Sequence, residues 1–203
     1  MDLLQKAINY EKCGSWAVWD ENNEKSVDVI RKCERLHAKV VVVALNISKE
    51  LEESWSNFRG GKHDRKLKEL LNKSSAKGAY MTDLIKSYNE PDSFKVSKRI
   101  KDSEFLEAHL DDFKDEMQTV GANKDTIFLL FGSQVRDVFE KHLRQDYPNY
   151  VSCIHYSSYS ITDEEWLVCN IARIDKEFKD QIQFQEGGMS NEEYIKDLLQ
   201  LEI

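Results

Sequence analysis

Apolar residues fall along this chain in two alternating rhythms. Four dense runs are rich in β-branched and aromatic residues: 39–46 (KVVVVALN), 78–86 (GAYMTDLIK), 126–131 (TIFLLF) and 150–155 (YVSCIH). Short continuous apolar runs bounded by polar segments predict strands buried on both faces, as in a parallel sheet. Between the runs the spacing relaxes to three and four. Leu67, Leu70 and Leu71 predict a helix over 64–71, and Phe105, Leu106, His109, Leu110, Phe113 and Met117 line one side of a helix over 102–120. Val135, Val138, Phe139 and Leu143 place another helix directly after Gly132-Ser133. Thr162-Asp163-Glu164-Glu165 resembles a capping box and opens a long helix through roughly Phe184. Before the first strand run, 3–10 reads as a short helix and 24–37 as a longer one, and the stretch 14–19 is compatible with an extended segment. Residues 88–101 carry the turn signal Asn89-Glu90-Pro91-Asp92 and read as a long loop. Gly187-Gly188 breaks the long helix, and Ser190 caps a final one. Strands alternating with helices predict a three-layer α/β/α sandwich around a four-stranded, mainly parallel sheet, in one domain over 1–203.

Composition narrows the class. With 40% hydrophobic and 33% charged residues but only 8 Gly and 2 Pro, the chain is globular, neither fibrous nor disordered. The longest apolar run, 40–45, is too short to span a bilayer, and the first residues lack a basic start and an apolar core, which predicts a cytoplasmic protein with no membrane partner. Cys13, Cys33, Cys153 and Cys169 are scattered without a C-x-x-C pair, against a zinc ribbon or a disulfide framework. His37, His63, His109 and His142 have no ligand spacing, and no cofactor or metal is expected. The net charge of -8 hides an asymmetry: residues 59–101 hold 12 Lys+Arg against 5 Asp+Glu, a local +7, whereas residues 102–203 carry -13. A basic middle in an acidic chain is an electrostatic footprint if it faces one way. Trp16, Trp19 and Trp55 could offer a stacking platform, but core packing is the preferred reading.

In parallel sheets ligands bind beyond the carboxyl ends of the strands. The four runs deliver Asn46-Ile47-Ser48, Thr82-Asp83, Gly132-Ser133 and His155-Tyr156-Ser157-Ser158 to those ends, with Trp55-Ser56-Asn57-Phe58-Arg59 between the first two. In this order the chain resembles the uracil-DNA glycosylase superfamily over residues 39–159, about three fifths of its length, and looks like an uncharacterised glycosylase-like group within it. The resemblance implies a four-stranded parallel sheet between helices. It casts Asn46 as the residue positioning a water, Phe58 as the aromatic that stacks on a flipped base, and Asp83 as the reader of the base edge. His155 becomes the stabiliser of the departing base anion, with Ser157 beside it. The first motif lacks the family's Pro and flanking glycines, Tyr156 stands where the family has Pro, and Asp83 stands where it has Asn.

The resemblance implies a protein that excises or binds a modified or deaminated nucleobase in DNA. Arg59, Lys62, Arg65, Lys66, Lys95, Lys98 and Arg99 are the candidate phosphate contacts, giving a salt-dependent affinity. An ionised Asp83 can only accept hydrogen bonds, so it should reject uracil's O4 and suit a donor-rich edge such as that of cytosine or a guanine-like base. Two alternatives stand beside this one: a catalytically silent nucleotide or nucleic-acid binding module on the same fold, and a protein-interaction domain whose acidic C-terminal half docks a basic partner.

Overall fold

The computed structural model describes residues 2–184 and 193–196. Helix α1 (Leu3–Lys6) and a 3-10 turn (Ile8–Tyr10) lead into strand β1 (Ser15–Trp16), the one-turn helix α2 (Asp28–Arg31) and the long strand β2 (His37–Asn46). There follow α3 (Asp64–Asn72), β3 (Ala79–Ile85), α4 (Ser93–Arg99), α5 (Ser103–Val120), β4 (Ile127–Phe131), α6 (Ser133–His142), β5 (Tyr150–Cys153) and α7 (Asp163–Phe178).

The sheet has five strands in the order β1-β3-β2-β4-β5, and it is mixed. Strands β2 to β5 are mutually parallel, with Val43 opposite both Thr82 and Leu130, and Phe131 opposite Cys153. The expected four-stranded sheet is corrected by β1, which pairs antiparallel with β3 through Ser15 and Met81. Two residues are too few to carry a periodicity, so nothing in the pattern separates this edge strand from an extended loop.

Alternation along β2 explains why its run is apolar throughout. Val40, Val42 and Ala44 face one core, shared with Leu67, Leu70, Trp166 and Ile171 of α3 and α7. Val41 and Val43 face a second core, shared with Leu110, Phe113, Val135 and Phe139 of α5 and α6. Each face of the sheet is therefore covered by a helical layer.

Most helices begin where the polar residues say they should. Thr162 and Glu165 close the capping box of α7, and Asp102 caps α5 by accepting from Phe105 N at 3.2 Å. The helix expected over 24–37 shrinks to α2: Lys25 N and Asp28 N donate to the Asn23 and Ser26 side chains instead of to helical carbonyls, and residue 37 already belongs to β2. The loop expected over 88–101 contains α4 instead. Asp92, read as a turn residue, is its N-cap and accepts from Phe94 N at 2.9 Å. Only Val96 of that helix is buried, so it has no apolar stripe to announce it. Helix α7 stops at Phe178, short of residue 184, since Phe184 bridges to Ser74 and packs in the core. The Gly187-Gly188 break and the Ser190 cap lie outside the described residues. Among the described residues no helix is long and apolar enough to cross a membrane.

Candidate functional site

Four parallel strands end on one edge, so the loops leaving them share a crevice. That crevice is a cleft of about 630 Å³, within the rough 300–1,000 Å³ range of small-ligand sites. Asn46, Phe58, Asp83, His155 and Ser157 all line it. The structure thus brings together every residue to which the resemblance gives a water-, base- or edge-contacting role.

Asp83 sits near the end of β3, only 2% exposed. Its Oδ2 accepts from Asn57 Nδ2 at 2.7 Å, and the residue lines the cleft. Burial pushes the carboxyl up to about 7, against the opposing pull of the Asn57 amide and the Lys86 ammonium. The ionised form expected from the sequence is therefore disfavoured by burial. Burial favours instead the protonated form, which can donate as well as accept.

His155 leaves β5 and stacks on Tyr156, with ring centroids 4.3 Å apart. Its Nδ1 receives Ser157 N at 3.1 Å and lies 2.8 Å from Ser157 Oγ. A backbone N–H can only donate, so Nδ1 is the acceptor and the neutral ring carries its proton on Nε2. Burial lowers this histidine to about 4, which keeps it neutral at physiological pH. The imidazole fits because residue 132 is glycine: a Cβ there would lie 3.2 Å from His155 Cδ2, at a φ of +108° that side chains rarely adopt.

Asn46 commits its Nδ2 to the backbone, donating to Glu90 O at 2.8 Å and Ile47 O at 3.2 Å. These bonds hold the loop after β3 against the end of β2 and leave Oδ1 as the acceptor Asn46 can still offer. Phe58 is buried and meets Tyr156 edge-on at 6.3 Å, giving the cleft an aromatic side of Phe58, Tyr156 and His155. The backbone here is strained, since Trp55 and Phe58 have φ of 66° and 60°. Such conformations cost about 1–3 kcal/mol each and persist when their surroundings over-determine them. The restraints are visible: Trp55 N donates to Glu11 O, Ser15 Oγ donates to Trp55 O, and Phe58 N donates to Asn57 Oδ1.

The basic residues divide. Lys62 lines the cleft and lies 5.6 Å from the Tyr159 ring centre. Arg59 also borders it, but its guanidinium turns inward and donates to the carbonyls of Ser26, Trp16 and Val18. It is an anchor for the N-terminal segment, and burial lowers it to about 10. Lys66 is buried, 2.9 Å from Asp163 and over the Trp166 ring. Arg65 pairs with Glu69 at 2.8 Å away from the cleft. Lys95, Lys98 and Arg99 are exposed on α4 but do not themselves line the cleft. The basic segment therefore does not form one continuous phosphate-facing rim, because several of its charges hold the fold or neighbouring acids.

Three contributors escaped the sequence reading. Asn57 joins Asp83, Cys13 O and its own strained loop in one hydrogen-bonded unit. Tyr156 supplies the ring between Phe58 and His155. Asp64, the first residue of α3, lines the cleft, accepts from Gly61 N at 2.8 Å and is raised by burial. Asn57 and Tyr156 lie within the segments 55–59 and 155–158 but nothing in their spacing signals a role, and Asp64 reads as an ordinary helix-start acid. No family model, no curated protein and no solved structure matches this chain.

Proposed function

We propose that the cleft holds a single nucleobase, edge-on to Asp83 and beside the Phe58–Tyr156–His155 aromatic side. On this reading the protein is a uracil-DNA glycosylase-like nucleobase-excising or nucleobase-binding protein acting on DNA or a nucleotide. The observation that carries it is the convergence of Asn46, Phe58, Asp83, His155 and Ser157 on one cleft at the carboxyl edge of the sheet. The chemistry of each group fits. A neutral imidazole with Nε2–H can donate to the oxygen that gains charge as a base departs, without surrendering its proton. Asn46 Oδ1 can accept from a water and orient it toward the sugar. That water adds to C1′ as the C1′–N bond breaks, the base leaves as an anion with the bonding pair, and the proton shed by the water ends on the departed base. A base reaches such a site only after leaving its stack.

Asp83 sets which base is held. Ionised, it favours an edge with N–H donors, as in cytosine or a guanine-like base. Protonated, it can also meet a carbonyl, as the Asn of the family does. A binding-only role is favoured by one observation: Asn46 is an amide that cannot take a proton, and its nitrogen is already tied to the loop.

The test is base release from oligonucleotides carrying uracil, hypoxanthine, xanthine or ethenocytosine, single- and double-stranded, at pH 6 and pH 8. Excision predicts release that His155→Ala reduces by about 10²-fold or more, with uracil disfavoured at pH 8 relative to pH 6. Saturable binding without release supports the binding module. Neither binding nor release in either strand form, together with no binding of free nucleosides, removes the nucleobase reading.

A further inference from the structure

The exposed large hydrophobic side chains among the described residues are Ile8, Phe94 and Tyr159. Ile8 lies in the N-terminal 3-10 turn. The two rings, 75% and 78% exposed, both adjoin the cleft: Phe94 follows Ser93 and Tyr159 follows Ser158, and both serines line it. They belong to different layers of the fold. Phe94 rides on α4, which is fastened to α6 by Ser97 Oγ donating to Gln134 Oε1 at 2.7 Å. Tyr159 meets His63 at the head of α3, with Oη 3.3 Å from Nε2. An exposed ring therefore flanks the cleft from each helical layer.

A lysine lies over the Tyr159 ring, and another shares a helix with Phe94. Lys62 Nζ approaches the Tyr159 face at 5.6 Å. Lys98 is exposed one turn along α4 from Phe94 and has no acidic partner among the described residues. Aromatic faces interleaved with cations are what single strands need, since unpaired bases stack on the rings while phosphates meet the charges. A duplex keeps its bases stacked on one another and offers these rings no free face.

Resting on the reading that the cleft holds one nucleobase, we propose that its substrate is single-stranded DNA, with Phe94 and Tyr159 stacking the bases on either side of the one in the cleft. The test is fluorescence anisotropy of the full chain with a labelled strand of about 12 nucleotides, of the order of one binding fold's site size, and with the same sequence as a duplex. Free nucleosides are titrated in parallel against the cleft resonances in an NMR spectrum. The single strand should bind about 10-fold or more tightly than the duplex. Phe94→Ala and Tyr159→Ala should each weaken single-strand binding by roughly 5- to 100-fold and leave duplex binding unchanged, and Phe94→Trp should retain it. Both side chains are exposed, so the fold survives their loss. Equal affinity for strand and duplex, or alanine variants that bind the strand normally, overturns the proposal. Nucleosides that shift the cleft resonances while the strand does not bind overturn it and leave the nucleobase reading standing. Silence from nucleosides and strand alike overturns both.

Discussion

Replacing Asp83 by Asn removes one ionisable group from the cleft while nearly preserving its shape. Burial raises this carboxyl from 3.8 to about 7. A gap of roughly 3 units at about 1.4 kcal/mol each means that ionising Asp83 costs the folded protein up to about 4 kcal/mol relative to the unfolded chain. The unfolded aspartate loses its proton near 3.8 and the folded one near 7. Between those values the folded state binds more protons, so this group makes stability fall as pH rises. The penalty is absent below 3.8 and complete above 7. His155 runs the other way. Burial lowers it from 6.5 to about 4, so on acidification the unfolded chain takes the proton first, and stability is lost as pH falls from 6.5 toward 4. In wild type the two slopes oppose each other between pH 4 and 6.5. Asp83→Asn deletes one and unmasks the other. The variant keeps the bond from Asn57, since the oxygen of the new amide can accept it, but forgoes the attraction of Lys86. The expected gain at pH 8 is therefore about 1–4 kcal/mol, shrinking to within about 0.5 kcal/mol at pH 4. Urea unfolding of both proteins at the two pH values measures it. An equal shift at both, or a loss of stability at pH 8, refutes the claim that Asp83 is a buried carboxyl raised by desolvation.

Other outcomes follow from the same geometry. Arg59→Ala leaves the carbonyls of Ser26, Trp16 and Val18 without their guanidinium and should destabilise by about 3–5 kcal/mol in denaturant melts, whereas Lys62→Ala should change stability by less than about 0.5 kcal/mol. Lys86→Met strands Glu116, which is fully buried and 2.7 Å from Lys86 Nζ, and should cost about 3–5 kcal/mol at pH 7; adding Glu116→Gln should recover part of that loss in a double-mutant cycle. Gly132→Ala places a Cβ against His155 at a left-handed φ and should cost about 1–3 kcal/mol, with a shift of the His155 ring resonances in NMR spectra.

Much of this fold was legible because burial writes itself into composition. Residues 40–44 of β2 are apolar without interruption because each faces one of two cores. The capping box of α7 was visible for a local reason: Thr162 and Glu165 satisfy each other's backbone donors within one turn. What hid was whatever depended on distant contacts. Strand β1 exists because Trp16 can pair with Tyr80, far along the chain. Helix α4 is held by a cap and by Gln134 more than by an apolar face. The cleft residues were found through where strands end, a topological rule that needs no side-chain geometry. Asn57 was not, because its importance lies in touching Asp83 and Cys13 together. Charge misled for the same reason. Arg59 and Lys66 count as basic in any window, yet one holds backbone carbonyls and the other Asp163.

Photo-crosslinking tests the central claim most directly. A single-stranded oligonucleotide carrying one 5-iodocytosine is irradiated with the protein at pH 8, and the adduct is mapped by peptide mass spectrometry. The account predicts a zero-length crosslink to Phe58 or Tyr156, competed by unlabelled strand. Crosslinks confined to the acidic segment after residue 162, or none above the level of an unrelated acidic protein, would contradict it.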